Sequence, residues 1–367
     1  MHIQYLAMKN FRNIRQVEMT PDKGFNILWG DNAQGKTNIL EAIYLLGNLK
    51  SFRGARNEDL IRHDCLSSSI AGDIFFREVR RQIELEIDHQ GKRGRVDGKE
   101  ARTAGNFLGH LCPVLFSPEE VGLVKGPPAG RRALVDRAVF QTEPGYLAQA
   151  QEYRRCLKQR NRLLKDKKKV AEIEPWTEGV IRAGARIRRA RSLYLKRLQP
   201  LLGEAYGNLS GGREEAGTVC PSPGLSLSEI EEDLRRETAR SFEREYGLGQ
   251  TLVGSHRDDI RFMVNGRSLR LYGSQGQQRS FILAFKAAQI MDLEQIIGES
   301  PVLLLDDMTS ELDRRRQSFF FHFLRRRRGQ VFITTTDIRT LVDGGFGDAR
   351  FFRVADGDLE EKREKRG

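Results

Sequence analysis

The stretch GDNAQGKT, Gly30-Asp31-Asn32-Ala33-Gln34-Gly35-Lys36-Thr37, follows the apolar run Phe25-Asn26-Ile27-Leu28-Trp29 and precedes Asn38-Ile39-Leu40-Glu41-Ala42-Ile43. Its order decides the reading: a strand pattern, two glycines five apart, Lys-Thr, then a helix pattern. Gly30 and Gly35 let the backbone wrap so that successive N–H groups face one concavity, which can hold phosphate oxygens. A helix beginning at Lys36 adds its positive N-terminus. In this spacing Lys36 reaches the β and γ phosphates of a nucleotide, and the Thr37 hydroxyl holds Mg²⁺.

Working outward, the first 30 residues read as strands over His2 to Lys9, Gln16 to Met19 and Phe25 to Trp29, with a helix from Lys36 to Leu46 after the loop. Between Ser69 and Lys99 the pattern alternates, and Asp97-Gly98 marks a hairpin turn. Near Arg131 the texture becomes helical. Tyr146, Ala150, Tyr153, Leu157 and Leu164 follow one helix stripe, and Trp176, Val180, Ala183, Ile187, Ala190 and Tyr194 follow a second, with Pro175 in its first turn. Joined through Lys167-Lys168-Lys169, the two make an antiparallel helical hairpin. Gly203 to Leu227 reads as a loop. Strand texture returns at Thr251, with a hairpin at Asn265-Gly266 and buried strands at Val302 to Leu305, Val331 to Thr334 and Phe351 to Val354. A helical arm, 126–250, therefore interrupts one α/β domain whose halves are 1–125 and 251–367.

The chain has 62 Lys+Arg against 50 Asp+Glu, a net charge of +12, which favours polyanionic partners, nucleic acid first. Arg131 to Pro200 holds 19 basic and 7 acidic residues, a surplus equal to that of the whole chain. Such a segment is the footprint of charge-driven phosphate binding or the solvated face of a helical hairpin. The run Arg325 to Arg328 is open in the same way, between DNA and a helix C-terminus. Four scattered cysteines without CxxC spacing read as free thiols. No run approaches a membrane span, and no signal peptide is read. A soluble, cytoplasmic protein with no membrane partner is expected.

Two further stretches carry chemistry. In PVLLLDDMTSELD, Pro301 to Asp313, a buried strand ends in two carboxylates, where ligands bind in α/β sheets. Asp306 is placed to hold Mg²⁺, and Asp307 to polarise the water that attacks the γ-phosphate. In YGSQGQQRS, Tyr272 to Ser280, a hydroxyl and a helix start offer themselves to an anion, or Ser274 is simply a polar N-cap. His256 beside Asp258-Asp259 reads as structural.

Together the three stretches resemble the Walker A, signature and Walker B motifs of the ATP-binding-cassette superfamily, with Ser310 to Asp313 as its D-loop. Within it the chain is similar to the RecF family of DNA repair proteins, through KNFRNI (Lys9 to Ile14), FSPEEVGLVKGPPAGRRALVD (Phe116 to Asp136), GSHRDDI (Gly254 to Ile260) and GSQGQQRS, over nearly the whole length. The resemblance implies an ABC/SMC-like ATPase head of mixed sheets with a helical arm. It implies an ATP-dependent homodimer in which Ser274, Gly276 and Gln277 meet the γ-phosphate held at Gly30 to Thr37 of the partner. It also implies binding to double- and single-stranded DNA at gaps or junctions, action with RecR and RecO, and indirectly the loading of RecA.

Three departures from the wider superfamily point to slow hydrolysis. Asp307 stands where a glutamate is usual, Thr334 to Asp337 (TTTD) where a switch histidine is usual, and VLFSPEE has no Q-loop glutamine. ATP then reads as a clamp-closing ligand whose weak, DNA-dependent hydrolysis resets the clamp. The alternatives are a non-hydrolysing structural clamp and a transporter ATPase subunit; the charged arm argues against the second.

Overall fold

The computed structural model of the 367-residue chain describes residues 1–307 and 312–362. Of the expected D-loop, Ser310 and Glu311 fall outside the described residues. The chain packs as two compact units. The first comprises Met1–Glu120 and the chain from Leu293 onward, and the second is Val121–Asp292. Residues 251–292 thus pack with the helices, because β10 (Arg261–Val264) pairs with β9 (Ala216–Val219) in a three-stranded antiparallel sheet completed by β11 (Arg267–Ser268).

The first unit holds two six-stranded sheets. One is antiparallel and runs in the order β2 (Ile14–Met19), β1 (His2–Phe11), β4 (Ser67–Phe76), β5 (Val79–Asp88), β6 (Lys92–Val96), β7 (Lys99–Glu100). Its alternation buries Ile83, Leu85 and Ile87 while the residues between them stay at the surface side. The other runs β15 (Asp358–Lys362), β14 (Arg350–Ala355), β3 (Phe25–Trp29), β13 (Val331–Thr335), β12 (Val302–Leu305), β8 (Pro113–Phe116), and all its pairings are parallel except β14 with β15. The central strands β12 and β13 are buried along their whole length, as continuous apolar runs in a parallel sheet require. The helix Lys36–Asn48 packs Ile39, Leu40, Ile43 and Leu46 into a core shared with both sheets. The turns at Asp97-Gly98 and Asn265-Gly266 have positive φ at both residues, as two-residue hairpins demand.

In the second unit the helices Tyr146–Lys165 and Val170–Ser210 pack together, joined by a four-residue turn. The second helix has 41 residues, about 60 Å at 1.5 Å each. It differs from the sequence expectation at both ends. It starts five residues before Pro175 and continues through Pro200, Gly203 and Gly207, so the first part of the expected loop is helix. Packing outweighs the breakers here, because Leu198, Leu202, Ala205, Tyr206 and Leu209 keep the buried stripe going. A third long helix, Leu227–Leu248, is capped by a reciprocal Ser226–Glu229 box and lays Ile230 and Leu234 against Ile181 and Ala185.

Candidate functional site

The carboxyl ends of β3, β13 and β12 lie side by side, and the sequence-predicted groups of the first unit gather there. The loop from Gly30 to Gly35 needs its glycines. Gly30 has φ +152 and lies so close to the Val354 carbonyl that a Cβ would collide with it. Gly35 has φ +113, and a Cβ there would sit 2.9 Å from Asn13 Oδ1. Ala33 takes a left-handed φ of 64. Asn13 Nδ2 donates to the Gln34 carbonyl at 3.2 Å, as does the Gly357 N–H at 3.0 Å, while Gln34 Oε1 accepts the Asp356 N–H at 2.6 Å. Asp31 and Asn32 are exposed.

Lys36 Nζ curls back and donates to the Gly30 and Asp31 carbonyls, each at 2.6 Å. Burial lowers its pKa, while the charges of Asp307, Asp306 and Asp31 act in the opposite direction. Thr37 Oγ1 donates to Asp306 Oδ1 at 2.8 Å, which joins the helix after the loop to the acid at the end of β12 across 269 residues of sequence. Burial pushes the Asp306 carboxyl up, opposed by hydrogen bonds from Thr37 and Thr334.

Thr334, on β13, stands where the wider superfamily usually has a histidine. Its hydroxyl donates to Asp306 Oδ1 at 2.8 Å and accepts the Asp307 N–H at 2.9 Å. The signal for it was its place at the end of the neighbouring parallel strand. Asp307 has a left-handed φ of 45, a costly setting for a non-glycine residue and one that clusters at functional sites. Beneath the loop, Glu41 is fully buried and takes Arg12 in a bidentate pair at 2.9 and 3.0 Å, with Ser51 donating to it as well. Sequence reasoning missed Glu41 because a lone acid in a helix pattern carries no signal.

The third group lies in the second unit. Ser274 opens the helix Gln275–Ile297, and its Oγ accepts the Gln277 N–H at 3.1 Å while Gln277 Oε1 accepts the Ser274 N–H at 2.9 Å. This is a capping box, so the N-cap reading of Ser274 describes its geometry. Gly276 lies in the first turn of that helix.

The basic arm resolves into two populations. Arg131, Arg160, Arg188 and Arg191 are buried and paired. Arg131 meets Asp259 at 2.5 Å, and Arg160 meets Glu245 at 2.6 Å. Arg188 and Arg191 meet Asp258 at 2.8 and 3.4 Å, and Arg191 also meets Asp136 at 2.7 Å. GSHRDDI is therefore a structural hub, as expected, and His256 Nδ1 lies 2.6 Å from Tyr153 Oη. The exposed population includes Arg182, Arg186, Arg189 and Lys196 on one face of the long helix. Arg327 of the run Arg325 to Arg328 is committed to Glu294 at 3.4 Å and lies over the Phe323 ring. All four cysteines are free thiols, and burial raises Cys112 to about 12. Among the described residues no cluster of three metal-binding side chains occurs, and no helix is long and apolar enough to cross a membrane.

The RecF/RecN/SMC N terminal domain matches residues 2–354. The chain is 51% identical over 354 residues to the DNA replication and repair protein RecF of Syntrophotalea carbinolica, covering 96% of this chain and 98% of that one. This chain belongs to the RecF family. RecF of Geobacter sulfurreducens is 45% identical over 98% of this chain and 99% of its own. Among solved structures, the recombination mediator protein RecF-ATPrS of the RecFOR pathway superposes with a TM-score of 0.90 at 30% identity, over 99% of this chain and 98% of that one. The corresponding RecF-ATP structure gives 0.87 over 98% and 99%. An SMC head bound to the C-winged helix domain of ScpA gives 0.58 at 16% identity over 99% and 97%, a likeness of fold. RecF membership thus fixes the α/β head of RecF/SMC type and places the chain among DNA replication and repair proteins.

Proposed function

We propose that this chain is an ATP-dependent DNA-binding protein of recombinational repair in the cytoplasm. ATP closes a homodimer on gapped or junction DNA, RecO and RecR join it, RecA is loaded, and slow hydrolysis reopens the clamp. The observation that carries the reading is the Thr37–Asp306–Thr334 chain of hydrogen bonds beside the glycine loop, in a member of a family whose solved relatives include RecF-ATP.

The residues fit the nucleotide. Lys36 rests on two carbonyls it can exchange for phosphate oxygens, and Gly30 and Gly35 let the loop close against the Val354 carbonyl and the Asn13 side chain, where a Cβ would collide. Gly30 to Thr37 wrap the phosphates in this reading. Thr37 and Asp306 are the groups to hold Mg²⁺, a small oxygen-seeking cation that keeps waters and takes a few protein oxygens beside the substrate phosphates. When bound, the ion neutralises charge developing on the β and γ oxygens. Asp307 takes the proton of a water as its oxygen bonds to the γ-phosphorus and the bond to the β–γ bridging oxygen breaks. Its short side chain, and Thr334 in place of a histidine, support a low rate and also the rival reading of a clamp that does not hydrolyse ATP. Ser274, Gly276 and Gln277 act on the partner's nucleotide, and the exposed arm row takes DNA phosphates.

The test is Lys36→Ala, read by ATP binding and by DNA binding with ATP, ADP and no nucleotide. Both ATP affinity and the ATP-dependent part of DNA affinity should disappear. A variant that still gained DNA affinity from ATP would remove the loop from the mechanism.

A further inference from the structure

Glu214 lies in the connection between the helix Val170–Ser210 and β9 and belongs to none of the motifs. Its carboxylate touches two places. Oε2 accepts the Tyr206 hydroxyl at 2.9 Å, and Oε1 accepts Gln277 Nε2 at 2.7 Å. Gln277 is also the residue whose Oε1 accepts the Ser274 N–H and whose own N–H donates to Ser274 Oγ.

A glutamine amide has a donor end and an acceptor end on a torsion with two broad states. A carboxylate only accepts, so the donor end must face Glu214. A backbone N–H only donates, so the acceptor end must face Ser274. The two neighbours therefore select the same state from opposite sides. Tyr206 fixes the carboxylate in turn. It is fully buried on the long helix, with its ring 6.4 Å from that of Phe281 on the helix that Ser274 caps. With Gln277 so held, Ser274 Oγ is an acceptor toward the helix and keeps its hydrogen for an acceptor outside. The side chain is exposed.

We propose that Glu214 is a positioning residue for the signature motif: by fixing the Gln277 amide it presents the Ser274 hydroxyl hydrogen to the triphosphate held by a second copy of this chain. The proposal rests on the reading that Ser274 acts in trans. It separates two properties of Glu214, its reach and its charge. Glu214→Gln keeps a carbonyl oxygen at the same reach and removes the charge, and Tyr206 can accept from the new amide. Glu214→Asp keeps the charge and falls short by one methylene. Glu214→Ala has neither.

ATP affinity of the monomer and ATP-driven dimerisation of the full chain are measured for the three variants, wild type and Ser274→Arg, by calorimetry and sedimentation. Loss of the hydrogen bond that orients the Gln277 amide predicts about tenfold weaker dimerisation for Glu214→Ala and Glu214→Asp, with Glu214→Gln, which keeps an acceptor at the same reach, within about twofold of wild type. Monomer ATP affinity should stay unchanged in all three. Should Glu214→Ala melt early, the Asp and Gln pair still decides. Undiminished dimerisation in Glu214→Asp, or a loss in Glu214→Gln as large as in Glu214→Asp, overturns the assignment. If Ser274→Arg blocks dimerisation while the Glu214 variants do not, only the role of Glu214 falls. If Ser274→Arg dimerises like wild type, the trans reading falls and this proposal with it.

Discussion

Asp307 lies two residues beyond the buried strand β12, with its N–H pinned by Thr334 Oγ1 and its φ at 45. Asparagine tolerates this left-handed setting at least as well as aspartate. Asp307→Asn should therefore leave the fold and ATP binding intact while removing the proton acceptor. Loss of a general base is worth about 10² to 10⁴ in rate, so single-turnover hydrolysis should fall by at least about a hundredfold. The ATP-bound dimer should then hold DNA longer than wild type does. Release of DNA that is faster than wild type, with ATP present, would rule out Asp307 as the water activator. Gly30 shows the other face of residue-scale control: the space its missing Cβ leaves is taken by the Val354 carbonyl, on a strand more than three hundred residues away.

Among the elements, the arm helices show what one sequence could and could not reveal. Their 4-3-4 stripes were legible because a buried face repeats with the helix, and Tyr146, Tyr153, Leu164, Val180, Ile187 and Tyr194 are indeed buried. The roles of the arginines were not legible, since a charge count cannot see a partner: Arg160 finds Glu245 85 residues away, with Thr177 and Thr251 completing its hydrogen bonds at 2.9 and 2.7 Å. Likewise the motif at Asp306 was readable, but Thr334 needed the strand order. Glu245→Ala leaves the Arg160 guanidinium buried without its counter-charge. Denaturant unfolding should show a loss of about 3–5 kcal/mol. A loss below about 1 kcal/mol, the worth of a surface pair, would contradict the burial of this pair. The exposed row makes the complementary prediction. Changing Arg182, Arg186, Arg189 and Lys196 together to Gln should spare stability and flatten the dependence of log Kd on log salt for duplex DNA. The slope should drop by about 0.9 for each phosphate contact removed. An unchanged slope would move the DNA to another face.

For the molecule as a whole, Gly30 to Thr37, Asp306 and Asp307 belong to one compact unit and Ser274 to Gln277 to the other. If one copy's first set is completed by another copy's second set, damage to the two sets should complement. Lys36→Ala removes the cation facing the phosphates. Ser274→Arg leaves the phosphate loop whole, so the monomer should bind ATP with near wild-type affinity, but the bulky side chain displaces the hydroxyl and blocks close approach. Neither variant should dimerise with ATP alone. Mixed, they bring together one intact loop and one intact signature per pair, so one competent site forms and part of the ATP-driven dimerisation should return. Sedimentation of the equimolar mixture, with one variant carrying a fluorophore, counts the heterodimer directly. The isolated Ser274→Arg monomer makes the sharper measurement, because it does not require a single closed site to hold two copies together. If that monomer loses ATP binding, Ser274 serves the nucleotide of its own chain, and the completion of the site by a second copy is refuted.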